Sequence, residues 1–234
     1  MKSHFQRKEI KYRLTKGQMD SLIALLGDEL VFDFYCPTGQ PYHISSIYYD
    51  TPNYDVIRRS NDKPRHKAKL RLRTYEDNSH YLELKQKYKG IVYKKRIALS
   101  EQELGEFIRH RILPNRSDYE SRSVLADMAG FLALHPDLIK PVHIEYHRIA
   151  YVYNPTKENV RMTFDSRLRV YEEARQSWVK LLPSDEVLME IKVVGTMPLT
   201  LVKALSALKI YPHSFSKYGK YFEQQLIKGE ISYV

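Results

Sequence analysis

A chain of 234 residues suffices for one large domain or two small ones. Its 38 Lys and Arg outnumber 28 Asp and Glu, and the net charge of +10 points to a polyanionic partner: nucleic acid, a nucleotide, polyphosphate or an acidic membrane surface. The single cysteine, Cys36, excludes an internal disulfide and a cysteine-based zinc site.

The N-terminal MKSHFQRKEIKYRL is charged throughout and has no apolar signal core. No apolar run approaches the roughly 20 residues that cross a bilayer. A soluble cytoplasmic protein is therefore expected. Tyr is abundant, 19 against 8 Phe, and suits half-buried strands whose hydroxyls reach water or a ligand.

In chain order, Arg7, Glu9 and Lys11 alternate with Lys8 and Ile10, the period-two mark of a strand. Thr15 then caps a helix through Met19, Leu22, Ile23 and Leu26 that stops at Gly27. His43–Asp50 reads as a strand. In Lys67–Tyr75, Lys67, Lys69, Arg71 and Arg73 share one face, with Ala68, Leu70 and Leu72 on the other. In Tyr81–Lys87, Glu83, Lys85 and Lys87 oppose Leu82 and Leu84. A strand over Tyr93–Leu99 follows. Ser100 and Glu103 form a capping box for a helix through Leu104, Phe107 and Ile108. A helix over about Tyr119–Leu134 precedes strands at Val142–Tyr153, Val160–Val170 and Val187–Val193. Pro198 opens a helix through Leu201, Leu205 and Leu208, and Lys217–Ile227 reads as the last.

The order is antiparallel and strand-rich, with helices inserted and no regular strand–helix alternation. It predicts an α+β fold of one domain over 1–234, with about eight strands able to close into a β-barrel and helices packed outside.

Several strands carry cations on one face. Arg148, Arg161 and Lys192 add to the earlier set, as does one parity of Lys94, Lys95 and Arg96. Like charges side by side repel, so such faces call for an anion between them; the competing reading is a solvated basic sheet. Glu9, Glu190 and Asp165 stand among the cations. Carboxylates in a basic phosphate site commonly hold Mg²⁺ or Mn²⁺; the alternative is a salt bridge to a neighbour.

No phosphate-binding G-x-x-x-x-G-K-[ST] loop and no G-x-G-x-x-G occurs. His143 and His147 read as ordinary surface or packing residues. Ser214 and Ser216 have no evident His/Asp partners. The segment His213–Lys220 opens a helix where hydroxyls, backbone N–H groups and Lys217 could converge on phosphate, or where Ser214 or Ser216 simply caps.

The ordered segments RKEIKY, SSIYYDTPNY, KLRLRTY, LELKQK, YHRIAY, RMTFDSRLR, LMEIKV and SFSKYGKY together resemble the VTC domain, the polyphosphate polymerase domain of the triphosphate tunnel metalloenzyme superfamily. The resemblance spans about Phe5 to about Gln225. It implies a barrel enclosing a basic tunnel, a triphosphate bound with a divalent ion (Mn²⁺ or Mg²⁺), and transfer of the γ-phosphate of ATP to a polyphosphate chain. Carried over residue by residue, Lys11, Arg71, Arg73, Lys85, Arg148 and Arg161 become the tunnel cations. Tyr146, Ser216, Lys217 and Lys95, the last taken over Lys94 and Arg96, become further phosphate contacts; Lys69 and Lys192 join them on strand-face parity alone. Glu190 matches the metal-binding glutamate, with Glu9 beside it. Arg7 stands where the superfamily favours a carboxylate, which argues against a multi-glutamate metal site. The resemblance leaves two alternatives to a polymerase: a triphosphatase acting on inorganic or nucleoside triphosphate, and a non-catalytic module binding polyphosphate or inositol phosphates. Specific nucleic-acid binding is not expected, since no aromatic stacking motif appears. The oligomeric state is left open.

Overall fold

A computed structural model describes residues 7–62, 64–89, 91–138, 140–153 and 160–231. Phe5 and the two chain ends, which the single-domain reading includes, lie outside the described residues. The elements are β1 Arg7–Thr15, α1 Lys16–Leu26, β2 Leu30–Phe32, β3 Tyr42–Asp50, α2 Asp55–Asn61, β4 His66–Tyr75, β5 His80–Tyr88, β6 Ile91–Leu99, α3 Glu101–His110 and α4 Tyr119–Leu134. There follow β7 Lys140–Tyr153, β8 Val160–Glu172, β9 Ser177–Lys180, β10 Glu186–Val194, α5 Leu199–Ala207 and α6 Lys217–Ile227.

Local signals act where the sequence places them. Thr15 Oγ1 accepts from the backbone N–H of Gln18 at 3.1 Å, and Gln18 Oε1 accepts from that of Thr15 at 3.0 Å. Ser100 and Glu103 make the same reciprocal cap at 3.3 and 2.9 Å. Each cap satisfies N–H groups that a helix start leaves orphaned. β2, β9 and α2 are additions to the sequence reading. The seven-residue α2 has its cap at a distance: the buried carboxylate of Asp50 accepts from the N–H groups of Val56 (2.9 Å) and Ile57 (3.0 Å).

The chain forms two compact units. The first comprises Met1–His43, Tyr146–Arg169 and Trp178–Ser216. Its strand order is β1-β10-β8-β7, with β2 on β7 and β9 on β8. One sheet face packs Tyr12, Leu14, Met162, Phe164, Met189 and Ile191 against Leu22 and Leu26 of α1 and Leu201 and Leu205 of α5. Full burial of each aliphatic side chain stabilises by about 1.5–3 kcal/mol.

The second unit comprises Ile44–Glu145, Val170–Ser177 and Lys217–Val234. Its order is β3-β4-β5-β6, antiparallel throughout. Leu70, Leu72, Leu82, Leu84 and Ile97 pack against Phe107 of α3 and Met128 and Phe131 of α4. α6 lays Phe222 on Tyr54, ring centroids 5.6 Å apart.

The closed barrel expected from the sequence is corrected here. Among the described residues neither unit's sheet closes on itself: β1 pairs only β10, and β6 pairs only β5. The outer strand β6 carries exposed Lys94 and Arg96, and charged side chains on an edge discourage further strand pairing.

Candidate anion and metal site

In the first unit, strand register gathers the charged residues opposite the apolar core. Across β1 and β10, Glu9 faces Lys192 and Lys11 faces Glu190. Across β10 and β8, Glu190 faces Thr163 and Lys192 faces Arg161. Across β1 and β10 the charges are opposite, a favourable arrangement between neighbouring strands, whereas Lys192 and Arg161 set two cations side by side across β10 and β8. Lys192 Nζ lies 2.6 Å from Glu190, and Lys11 Nζ lies 3.7 Å from Glu9. Lys11 also donates to the carbonyl of Phe215 at 2.8 Å, and the N–H of His213 donates to the Lys11 carbonyl at 2.7 Å. These bonds lay the chain before Ser216 along β1.

This face is only partly solvated. Thr163 and Asp165 in the middle of β8 are 1 % exposed and Arg148 of β7 is 8 % exposed, whereas Lys11, Arg161, Glu190 and Lys192 are half-buried and Glu9 is exposed. Arg148 donates through Nε and Nη2 to Asp165 at 2.6 and 2.8 Å, with its guanidinium over the buried Tyr146 ring. Arg161 Nε donates to Asp33, which lies just past β2 and also accepts from the N–H of Tyr35 at 2.9 Å. Burial works against the charge of Glu190, but Lys192, Lys11 and Arg148 outweigh it and hold the carboxyl down at about 2. Burial likewise disfavours charge on Arg148, yet Asp165 raises its pKa further above the usual guanidinium range.

The second unit carries its own basic face. Arg71 faces Glu83, Lys69 faces Lys85, and Lys85 in turn faces Lys94. Glu83 is 2 % exposed and sits at a three-cation junction. Arg71 Nε donates to it at 2.6 Å, Lys94 Nζ lies at 2.6 Å and Arg73 at 3.8 Å. Burial would raise the Glu83 pKa, but Arg71, Arg73 and Lys94 hold it at about 2. Arg71 Nη1 also donates to Tyr48 Oη at 3.1 Å, and Arg73 Nε to Ser46 Oγ at 3.3 Å. Burial raises the Tyr48 hydroxyl, whereas Arg71, Arg73 and Lys217 pull it lower and prevail, leaving it at about 7. On this face of β4, β5 and β6, Glu83 is the one carboxylate among the described residues, so positive charge dominates there.

Register thus places Glu9, Lys11, Tyr146, Arg148, Arg161, Glu190 and Lys192 in the first unit, and Lys69, Arg71, Arg73 and Lys85 on the basic face of the second. Ser216 is exposed at the end of the first unit, and Lys217 opens α6 in the second. Lys95 is elsewhere. It pairs in register with the core residue Leu84 and forms an ion pair with Asp127 of α4. Lys94 and Arg96 take the basic face instead, in register with Lys85 and Glu83. Sequence reasoning also passed over Asp33, Ser46, Tyr48 and Thr163 as site residues. Only Tyr48 carried a signal, its parity with Ser46 in a strand beside KLRLRTY. His143 accepts or donates to Ser45 Oγ at 2.6 Å, a packing role as expected.

The donor set suits a hard divalent cation sparingly. Glu190 and Glu9 offer carboxylate oxygens, and the buried Thr163 Oγ1 has no hydrogen-bond partner among the described residues. Those residues hold no group of three or more His, Cys, Asp or Glu able to cage an ion. A divalent ion bound here would have one or two protein carboxylates and would complete its shell with water and phosphate oxygens.

The family model for the VTC domain matches residues 6–224. The chain belongs to the VTC-domain family. Two solved structures share the fold. A candidate adenylate cyclase from Bacillus halodurans is 16 % identical with TM-score 0.57, covering 90 % of this chain and 95 % of that one. A candidate adenylyl cyclase from Hippeastrum, described as having a dominant triphosphatase activity, is 16 % identical with TM-score 0.54, covering 97 % and 100 %. A comparison with curated proteins finds no match. For this VTC-domain chain, family and fold agree with the antiparallel α+β architecture read from the sequence, and no described helix is long and apolar enough to cross a membrane.

Proposed function

We propose that this VTC-domain protein transfers the γ-phosphate of ATP to a polyphosphate chain with the help of Mn²⁺ or Mg²⁺. The observation that carries the reading is the half-buried face of β1, β10 and β8, in which an ionised Glu190 stands between Lys11 and Lys192 and Lys192 faces a second cation, Arg161. Cations crowded round a carboxylate on one half-buried face suit a metal–phosphate complex.

Glu190, assisted by Glu9, would hold the divalent ion, which would supply positive charge against the charge developing on the phosphates. Lys11, Lys192 and Arg161 bind phosphate oxygens beside it. Arg148, tied to Asp165, acts through its remaining Nη1 and its field. In the second unit Arg71 and Arg73, held in place by Glu83, Tyr48 and Ser46, supply positive charge towards phosphate, and Lys69, Lys85 and Lys94 add to that unit's own basic face. Tyr146 supports Arg148, and Ser216 and Lys217 offer a hydroxyl and an ammonium. The bond from the γ-phosphorus to its bridging oxygen breaks as a terminal phosphate oxygen of the acceptor bonds to that phosphorus, and ADP leaves. The acceptor is already anionic at neutral pH, so alignment and charge stabilisation do most of the catalysis.

A triphosphatase is the second reading, favoured by the activity ascribed to the Hippeastrum protein of the same fold. Incubation with ATP and Mn²⁺ separates them. Formation of ADP and long-chain polyphosphate, seen by phosphorus NMR, is the expected result. Free phosphate as the sole phosphorus product besides ADP would replace it with the triphosphatase reading, and unchanged ATP would remove the polymerase and leave only a triphosphatase acting on inorganic triphosphate.

A further inference from the structure

Thr163 occupies the middle of β8, directly across the ladder from Glu190. It is 1 % exposed, and among the described residues its Oγ1 has no hydrogen-bond partner. A buried hydroxyl left unpaired destabilises a fold, whereas an apolar group of the same shape would not. Its neighbours two residues away on the same strand face are engaged: Arg161 with Asp33 and Asp165 with Arg148. Glu190 is bound to Lys192 at 2.6 Å. A donor thus lies idle beside a carboxylate that an ammonium holds.

We propose that Thr163 is the positioning residue for Glu190 in its metal-binding state. The inference rests on the reading of Glu190 as the metal-binding carboxylate. An ammonium and a divalent cation compete for one carboxylate and repel each other. When the divalent ion draws Glu190 from Lys192, the carboxylate loses the group that fixes its orientation. The hydroxyl of Thr163 then donates to one Glu190 oxygen, leaving the other for the ion. A neutral donor fixes a metal-bound carboxylate without opposing the ion's charge, as outer-shell partners of metal ligands do. Lys192, released from Glu190, turns to the phosphate oxygens that arrive with the ion. The hydroxyl is idle in the ligand-free protein because its partner is engaged elsewhere.

The test uses the full chain, its Thr163→Val and Thr163→Ser variants, and Mn²⁺ with the β,γ-imido analogue of ATP. Free Mn²⁺ is followed by electron paramagnetic resonance, and the ligand-free melting temperature is measured alongside. Thr163→Val should weaken Mn²⁺ binding by about tenfold while leaving the ligand-free melting temperature unchanged or higher. Thr163→Ser should keep the wild-type affinity. The inference is overturned by wild-type Mn²⁺ affinity in Thr163→Val, by a serine variant as weak as the valine one, or by a fall in ligand-free melting temperature that accompanies the lost affinity. Failure of the wild type to bind Mn²⁺ with the analogue would instead overturn the metal role of Glu190.

Discussion

Glu83 shows how one buried carboxylate organises several cations. It binds Arg71 and Lys94 at 2.6 Å and Arg73 at 3.8 Å, and its pKa falls from 4.5 to about 2. The folded state therefore binds fewer protons than the unfolded chain between those values. The stabilisation is complete above the unfolded pKa and disappears as pH falls through the folded one. Its size is on the order of 3 kcal/mol. Glu83→Gln should lower the melting temperature at neutral pH and flatten its decline between about pH 5 and pH 2, with Glu190 supplying the acid sensitivity that remains. A decline as steep as in the wild type would show that Glu83 is not the titrating group. Period-two parity put Glu83 on the cation face, yet its partners were not readable. Arg71, 12 positions away, and Lys94 reach it only because β4 and β6 flank β5 in one particular hairpin register. Distance along the chain hid Asp33, whose partner Arg161 is 128 positions away.

At the level of elements, local rules succeeded where the signal was local. Both capping boxes and the alternating strands follow from neighbours within a few residues. α2 escaped because its N–H groups are satisfied by Asp50, upstream in the preceding strand, whose carboxylate also accepts from Tyr218 at 2.6 Å. In β6 three successive cations, Lys94, Lys95 and Arg96, defeat parity, since alternation alone cannot say which of them faces the core. Pairing with β5 decides it: Leu82 faces Ile97 and Leu84 faces Lys95, while Lys94 joins Lys85. A one-residue shift would exchange the faces. Lys94→Ala should therefore reduce turnover of ATP by roughly tenfold or more, as loss of a charge stabiliser does. Lys95→Ala, which breaks an ion pair to Asp127 on α4, should cost under about 1 kcal/mol of stability and leave turnover near wild type. Equal effects on turnover would place both lysines outside the phosphate site.

For the whole molecule, the charge of +10 is unevenly distributed between the two units' faces. In the first, Asp33, Asp165, Glu9 and Glu190 nearly balance Lys11, Arg148, Arg161 and Lys192; in the second, cations prevail around Glu83. The sequence argument from one-sided cations needs correction for the first unit, where carboxylates already offset the face; in the second unit the cations remain in excess over Glu83. If the site takes a divalent ion as proposed, Glu190 and Glu9 would supply a minority of its ligands, and phosphate and water would supply the rest. Calorimetry should find Mn²⁺ binding alone at least about tenfold weaker than in the presence of the ATP analogue, because the phosphates complete the coordination shell. Equal affinity with and without it would require a complete protein cage and would overturn this account of the site. By itself the sequence determined most of the strand faces and the helix caps, because alternation and capping are properties of neighbouring residues, and its ordered motifs pointed to the VTC family. Only the tertiary structure decided which cations are held by carboxylates, that Lys95 leaves the basic face, and that Thr163 lies idle beside Glu190. Those outcomes depend on register and burial, which arise from pairings between residues far apart in the chain.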